Sequence, residues 1–358
     1  MARIDLDLAH SYLAAPRSDE DYALLPLKMT FADGGAYALL GPSGCGKTTM
    51  LNIISGLLQP SEGTVFFDGV DKTDASPQQR NIAQVFQFPV IYDTMTVGEN
   101  LAFPLKNRKV PKAQIKERVG QIAEMLEMSH QLDARASGLS ADAKQKISLG
   151  RGLVRPDVSA ILFDEPLTVI DPHLKWQLRR KLKQIHRELK LTLIYVTHDQ
   201  VEALTFAEQI LVMSRGKVVQ IGTPEALFER PAHTFVGHFI GSPGMNLMPV
   251  TVIDGVVSVA GQRVAVPDSL RIPDGELTLG IRPEYTYMAP AGEPGVVQAL
   301  VETVQHVGAF RLLTAKLGDH VVRARIDLEH VAPEPGSTAG FTLLSAHSCF
   351  YQNEELLA

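Results

Sequence analysis

Cysteine is nearly absent. Cys45 and Cys349 are the only two in 358 residues, which excludes a disulfide framework and leads us to expect a reducing cytosol. No charge of one sign dominates. Lys plus Arg number 34 against 40 Asp plus Glu, a net charge of −6 that speaks against nucleic-acid binding through a basic surface. No apolar run reaches the ~18 residues that span a bilayer. The opening Met-Ala-Arg-Ile-Asp-Leu-Asp-Leu lacks the uninterrupted apolar stretch of an export signal, so none is expected. Any link to a membrane should therefore run through partner proteins. Repeats of fixed period and low-complexity segments are also missing. What is present is an ordinary globular composition, 45% hydrophobic and 21% charged, and a length that predicts two or three domains.

The chain is organised around Gly41-Pro42-Ser43-Gly44-Cys45-Gly46-Lys47-Thr48-Thr49. An apolar run, Ala36 to Leu40, precedes it, and Met50 to Ile54 reads as a helix ending near Gly56. Strand, glycine-rich loop and helix together make the pattern G-x-x-x-x-G-K-[ST] a phosphate cradle. Gly44 and Gly46 let successive N–H groups curl around phosphate oxygens, and the following helix adds its unpaired N–H groups. Lys47 is placed to reach the β- and γ-phosphates and Thr48 to ligate Mg²⁺.

Further along, Thr64 to Gly69 and Ile82 to Phe86 read as strands, and Gln87 follows the second. From about 93 to 153 the period becomes helical, with Ile115, Val119, Ile122 and Leu126 on one face, a helical subdomain inserted into the nucleotide-binding sheet. A buried strand then ends in Asp164-Glu165, an acid pair positioned to hold Mg²⁺ and to orient or deprotonate water. The next helix carries Leu174, Leu178, Leu182, Ile185 and Leu189 on one face. Lys175, Arg179, Arg180, Lys183 and Arg187 form a basic stripe on the other, expected to be solvated. Leu191 to Val196 is another buried strand, ending at Thr197-His198-Asp199, and His198 is a candidate partner for a γ-phosphate. After about Gly241, short β runs separated by Asp-Gly, Pro and Gly turns predict a second, all-β domain.

The phosphate loop, Gln87, Ser140, Asp164-Glu165, Asp171 and His198 follow one another as in the ATP-binding-cassette ATPases, and the resemblance covers the whole chain. Val85-Phe86-Gln87, Met95 to Leu101, Phe239 to Asn246 and Gly280-Ile281-Arg282-Pro283-Glu284 resemble the ATPase subunits of maltose- and glycerol-phosphate-type importers. The chain looks most like one ATPase subunit of a bacterial glycerol importer, a branch whose two ATPase subunits differ. The resemblance implies an α/β P-loop nucleotide-binding domain over 1–238 and an OB-like β domain over 239–358. It implies ATP and Mg²⁺ as cofactors, with Thr48, Gln87 and Asp164 toward the metal and Lys47, Glu165 and His198 as the catalytic set.

Two ATP molecules would be sandwiched between this chain and a second ATPase subunit, with Asp171 at the interface. Residues near Gln87 and the helical subdomain would dock on two membrane-spanning permease subunits, served by an external solute-binding protein, at the cytoplasmic face of a bacterial inner membrane. An aromatic residue before the loop stacks on adenine in that family; here Tyr12 is the first choice and Tyr22 the second.

The family signature Leu-Ser-Gly-Gly-Gln is replaced by Leu139-Ser140-Ala141-Asp142-Ala143-Lys144-Gln145. Ser140 still suits a helix cap, but Asp142 would face a partner's γ-phosphate. Two unit charges about 4 Å apart repel by up to ~4 kcal/mol at an effective dielectric of 20, which Lys144 and Mg²⁺ would reduce. An asymmetric heterodimer is expected, one site working with this chain's complete catalytic set and the other slow. Alternatives at this stage are two working sites, a sugar or glycerol-phosphate solute, a repair or translation ATPase, or a regulatory nucleotide-binding module. Cys45, inside the loop, predicts that thiol alkylation blocks activity.

Overall fold

The computed structural model describes residues 2–357 apart from Val169, Asp268, Ser269, Ala291 and Pro294; the Val169 of the Asp171 segment thus lies outside the described residues. Contacts divide the chain into two compact units, Met1–Pro224 and Glu225–Ala358.

The first unit opens with β1 (Ile4–Ser11), β2 (Tyr22–Phe31), β3 (Ala36–Leu40), α1 (Lys47–Ser55), β4 (Glu62–Phe67), β5 (Val70–Asp71), α2 (Pro77–Arg80) and β6 (Ile82–Val85). Helices α3 (Val97–Asn107), α4 (Lys112–Met125) and α5 (Ala141–Leu153) come next. They are followed by β7 (Ala160–Asp164), α6 (Pro172–Leu189), β8 (Leu193–Thr197), α7 (Gln200–Phe206), β9 (Gln209–Ser214) and β10 (Lys217–Gly222). One sheet runs β10-β9-β3-β8-β7-β6, with β9, β3, β8, β7 and β6 mutually parallel. Its central strands, Ala36–Leu40 and Leu193–Thr197, are buried at every position, the continuous apolar reading of a strand covered on both faces. The register sets the site: Leu40 pairs with Thr197 and Asp164 with Val196. The phosphate loop, Glu165 and His198 therefore leave three adjacent strands at one carboxyl edge, where open α/β sheets bind ligands.

The inserted helices α3 to α5 lie between β6 and β7 in sequence, and Ile115, Val119, Ile122 and Leu126 are all buried. The basic stripe on α6 departs from expectation. Arg180 and Arg187 are exposed, but Arg179 is only 9% exposed, and the Lys175 ammonium stands 3.7 Å from the buried carboxylate of Glu202. A second helix covers part of the face that helical spacing alone assigns to solvent.

The second unit holds α8 (Pro224–Glu229), which starts one residue before it, and α9 (Thr234–Phe239). Its strands are β11 (Asn246–Ile253), β12 (Val256–Val259), β13 (Gln262–Ala265), β14 (Gly275–Ile281), β15 (Tyr287–Ala289), β16 (Val296–His306), β17 (Phe310–Leu317), β18 (His320–Asp327), β19 (Thr338–Thr342), β20 (Cys349–Gln352) and β21 (Glu355–Leu356). Two antiparallel sheets, β13-β12-β11-β14-β20-β21 and β15-β19-β16-β17-β18, enclose one core that includes Val252, Leu279, Leu313 and Phe341.

Arg282, 1% exposed, explains why the unit begins before the change of composition at 239. Its guanidinium donates to the carbonyls of Phe228 (2.5 Å), Leu227 (3.3 Å), Gly237 (3.4 Å) and Ile240 (2.5 Å) and lies over the Phe228 ring. The carbonyl ends of two short helices are thus fastened to the β unit through one cation. Arg282→Met keeps the bulk and orphans these carbonyls. It should lower the stability of this unit by about 2–3 kcal/mol, read as a lower denaturant midpoint.

Candidate active site

Gly46 caps α1 with φ 102°, and a Cβ there would sit 2.4 Å from the Ala23 carbonyl oxygen. A Cβ on Gly41 would meet the Met213 carbonyl oxygen at 2.3 Å. The loop is thus pressed against its supports and only glycine fits at either end. Lys47, 6% exposed, donates from Nζ to the carbonyls of Gly41 (2.8 Å) and Pro42 (2.9 Å). The ammonium is held over the loop it must serve.

Across the sheet edge, the Thr48 hydroxyl faces the Asp164 carboxyl closely enough to pull its pKa down. Burial and then the neighbouring Glu165 push the Asp164 carboxyl above the usual carboxylate range; Lys47 and the Thr48 hydroxyl pull it down. A hydroxyl facing a carboxylate, beside a cationic loop, forms a donor set that suits a hard divalent ion keeping several waters. Glu165 Oε2 lies 3.1 Å from His198 Nδ1 and 3.3 Å from the Thr168 hydroxyl. Lys47, Thr48, Asp164, Glu165 and His198 are therefore one constellation.

Gln87 follows β6 at the same edge, since Val85 pairs with Phe163. Tyr12, 67% exposed, sets its hydroxyl 3.1 Å from Thr49 and meets the His10 ring edge-on at 4.7 Å. Tyr22 instead bonds Glu62, so Tyr12 is the aromatic next to the cradle.

Ser140 and Asp171 do not join this group. Ser140 caps α5, accepting from Ala143 N at 3.4 Å, and Asp171 caps α6, accepting from His173 N at 2.9 Å. Gln145 is fully buried and donates to the carbonyls of Pro166 (2.6 Å) and Phe86 (3.4 Å). It faces its own catalytic edge, tying α5 to the residues beside Glu165 and Gln87, a role that its place in the signature segment hides. Lys144 is engaged by Asp93 at 3.1 Å. Asp142 instead shares a cavity of about 450 Å³ with Lys146, one turn on, and with Arg180 and Lys181 of α6.

Cys45 reverses one expectation. It is 3% exposed, and burial pushes its thiol up against the opposing pull of Lys47. A buried protonated thiol is a poor nucleophile, so ready alkylation of the folded chain is not what the structure supports.

Fold and site together define a P-loop ATPase with a helical insertion. The family described as "ABC transporter" matches residues 24–168, and "MalK OB fold domain" matches 241–286. The chain is 41% identical over 322 residues to the sn-glycerol-3-phosphate import ATP-binding protein UgpC of Salmonella choleraesuis (strain SC-B67), covering 87% of this chain and 88% of that protein. It is 43% identical over 289 residues to the UgpC of Cereibacter sphaeroides, covering 80% and 81%. Among solved structures, cbiO1 from Clostridium perfringens, part of the ABC transporter complex cbiONQ, superposes with a TM-score of 0.57 at 26% identity, over 63% of this chain and 90% of that one. The chain belongs to the ATP-binding-cassette ATPases, in the group of import ATP-binding subunits that carry a MalK-type OB domain. Among the described residues no helix is long and apolar enough to cross a membrane.

Proposed function

We propose that this chain is one of two non-identical ATPase subunits that power a bacterial importer of a small polyol, glycerol first, from the cytoplasmic face of the inner membrane. The supporting observation is a complete constellation, Lys47, Thr48, Asp164, Glu165 and His198, beside a signature segment whose two glycines are Ala141 and Asp142. ATP supplies a γ-phosphoryl group whose departure is favoured by charge neutralisation. Lys47 offsets its charge, Thr48 and Asp164 hold Mg²⁺ with Gln87 near it, Glu165 takes a proton from water, and His198 contacts the γ-phosphate. Tyr12 stacks on adenine.

Dimer closure on ATP and reopening after hydrolysis move two permease subunits. These dock near Gln87, where Phe86, Phe88 and Val90 are exposed. A solute-binding protein delivers the cargo. The names of the relatives favour a second reading, sn-glycerol 3-phosphate as the solute.

Purifying the tagged chain from its own cells tests the assembly. A second ATP-binding chain and two membrane proteins should co-purify; a homodimer would sink the heteromeric reading. Uptake of labelled glycerol, competed by glycerol or by sn-glycerol 3-phosphate, decides the solute. Replacing Ala141 and Asp142 together with glycine should raise ATP turnover of the complex about twofold by recruiting the second site. Unchanged turnover would mean that Asp142 is tolerated.

A further inference from the structure

The hydrolytic constellation leaves unexplained a carboxylate buried behind it. Glu202, in the first turn of α7, is 2% exposed. Isolating an ionised carboxylate from water costs several kcal/mol unless every lone pair is engaged, so its partners are informative. Glu202 Oε2 accepts from the hydroxyls of Tyr195 (3.0 Å) and Thr197 (2.9 Å), and Oε1 stands 3.7 Å from the ammonium of Lys175. Thr197 Oγ1 in turn accepts from Asp199 N (3.0 Å). The peptide that carries His198 is thereby gripped on both sides, through Thr197 and Asp199. Lys175 sits one turn into α6, its N–H bonded to the Asp171 carbonyl at 2.9 Å. One side chain thus joins the segment bearing His198 to the helix that Asp171 begins.

We propose that Glu202 is a positioning residue for ATP hydrolysis, fixing His198 through Thr197 and linking it through Lys175 to the Asp171 segment. Asp171 is the residue expected at the face toward the second ATPase subunit. The state of that face therefore reaches His198 by a rigid three-residue connection rather than through the nucleotide. This rests on the reading that His198 acts on the γ-phosphate.

The test is steady-state ATP hydrolysis by the assembled complex carrying Glu202→Leu, Glu202→Gln or Lys175→Gln. Leucine leaves Lys175 and the Tyr195 and Thr197 hydroxyls without their acceptor and so lowers stability whatever the role. Turnover is therefore read well below the melting transition, where a packing role predicts native turnover. Positioning predicts a kcat at least tenfold lower in Glu202→Leu at that temperature, with KM for ATP within threefold. Glu202→Gln, which can still accept the Thr197 hydrogen bond, should recover most of the rate. Native turnover in Glu202→Leu, or a KM that rises in step with the loss of kcat, overturns the inference. If Glu202→Leu does not fold, Lys175→Gln, at a partly exposed position, decides alone: a threefold to tenfold lower kcat at constant KM supports it and native kcat overturns it. His198→Ala is the control. Native turnover there would mean that the reading of His198 has failed, whereas a dead His198→Ala beside a native Glu202→Leu defeats only the connection.

Discussion

Glutamine in place of Glu165 is expected to lower ATP hydrolysis by roughly 10²- to 10⁴-fold at the site this residue serves, the contribution of a positioned general base, while ATP still binds. The substitution keeps size and shape and leaves the hydroxyl of Thr168, at 3.3 Å, with a partner. It removes the negative charge 3.1 Å from His198 Nδ1 and the capacity to accept a proton. The phosphate loop is untouched, so affinity for ATP should stay within about threefold of native. Phosphate release under saturating ATP and an equilibrium nucleotide titration measure the two quantities separately. In the asymmetric assembly the whole activity disappears. A residue of about half the native rate would instead reveal a second working site served by the partner's own acid, and an unaltered rate would remove Glu165 from the chemistry.

Lys47→Ala should act on binding as well as on rate. The ammonium is 6% exposed and donates to two loop carbonyls at 2.8 and 2.9 Å, so it is already withdrawn from water before a triphosphate arrives. A charge-assisted hydrogen bond to a phosphate is worth about 1.5–3 kcal/mol, and a donor aimed at developing charge adds about 10²–10³ in rate. ATP affinity is therefore expected to fall by roughly 10- to 100-fold and turnover by at least about 100-fold. The thermal shift that ATP gives the native chain should shrink accordingly. Undiminished nucleotide binding would mean that the cradle after β3 is not the site.

What could be read from the residues alone was whatever is written in contiguous sequence. The phosphate loop is local: strand, glycines and helix follow within twenty positions, although the carbonyl that presses on Gly46 belongs to Ala23, outside it. Asp164, Glu165 and His198 end apolar strands, and a parallel sheet brings such ends to one edge without further information. The failures share a cause. Lys175 and Arg179 read as solvated because helical spacing does not record that α7 covers that side of α6. Cys45 read as reachable because loop composition says nothing of Met213, whose carbonyl closes on Gly41 next to it. The expected 238/239 boundary follows the start of the β pattern, and the contact division at 224/225 differs from it because Arg282 also holds helices that precede that pattern. Each miss is a contact between residues far apart in the chain, made by a polar or small group whose type leaves its surroundings open.

The backbone at Glu165 is left-handed, with φ 47°, a conformation that costs an ordinary residue roughly 1–2 kcal/mol and glycine almost nothing. The tension at this position is thus tied to usefulness. A screen that rewards heat resistance and ignores turnover would enrich glycine there and return sturdy, inert protein.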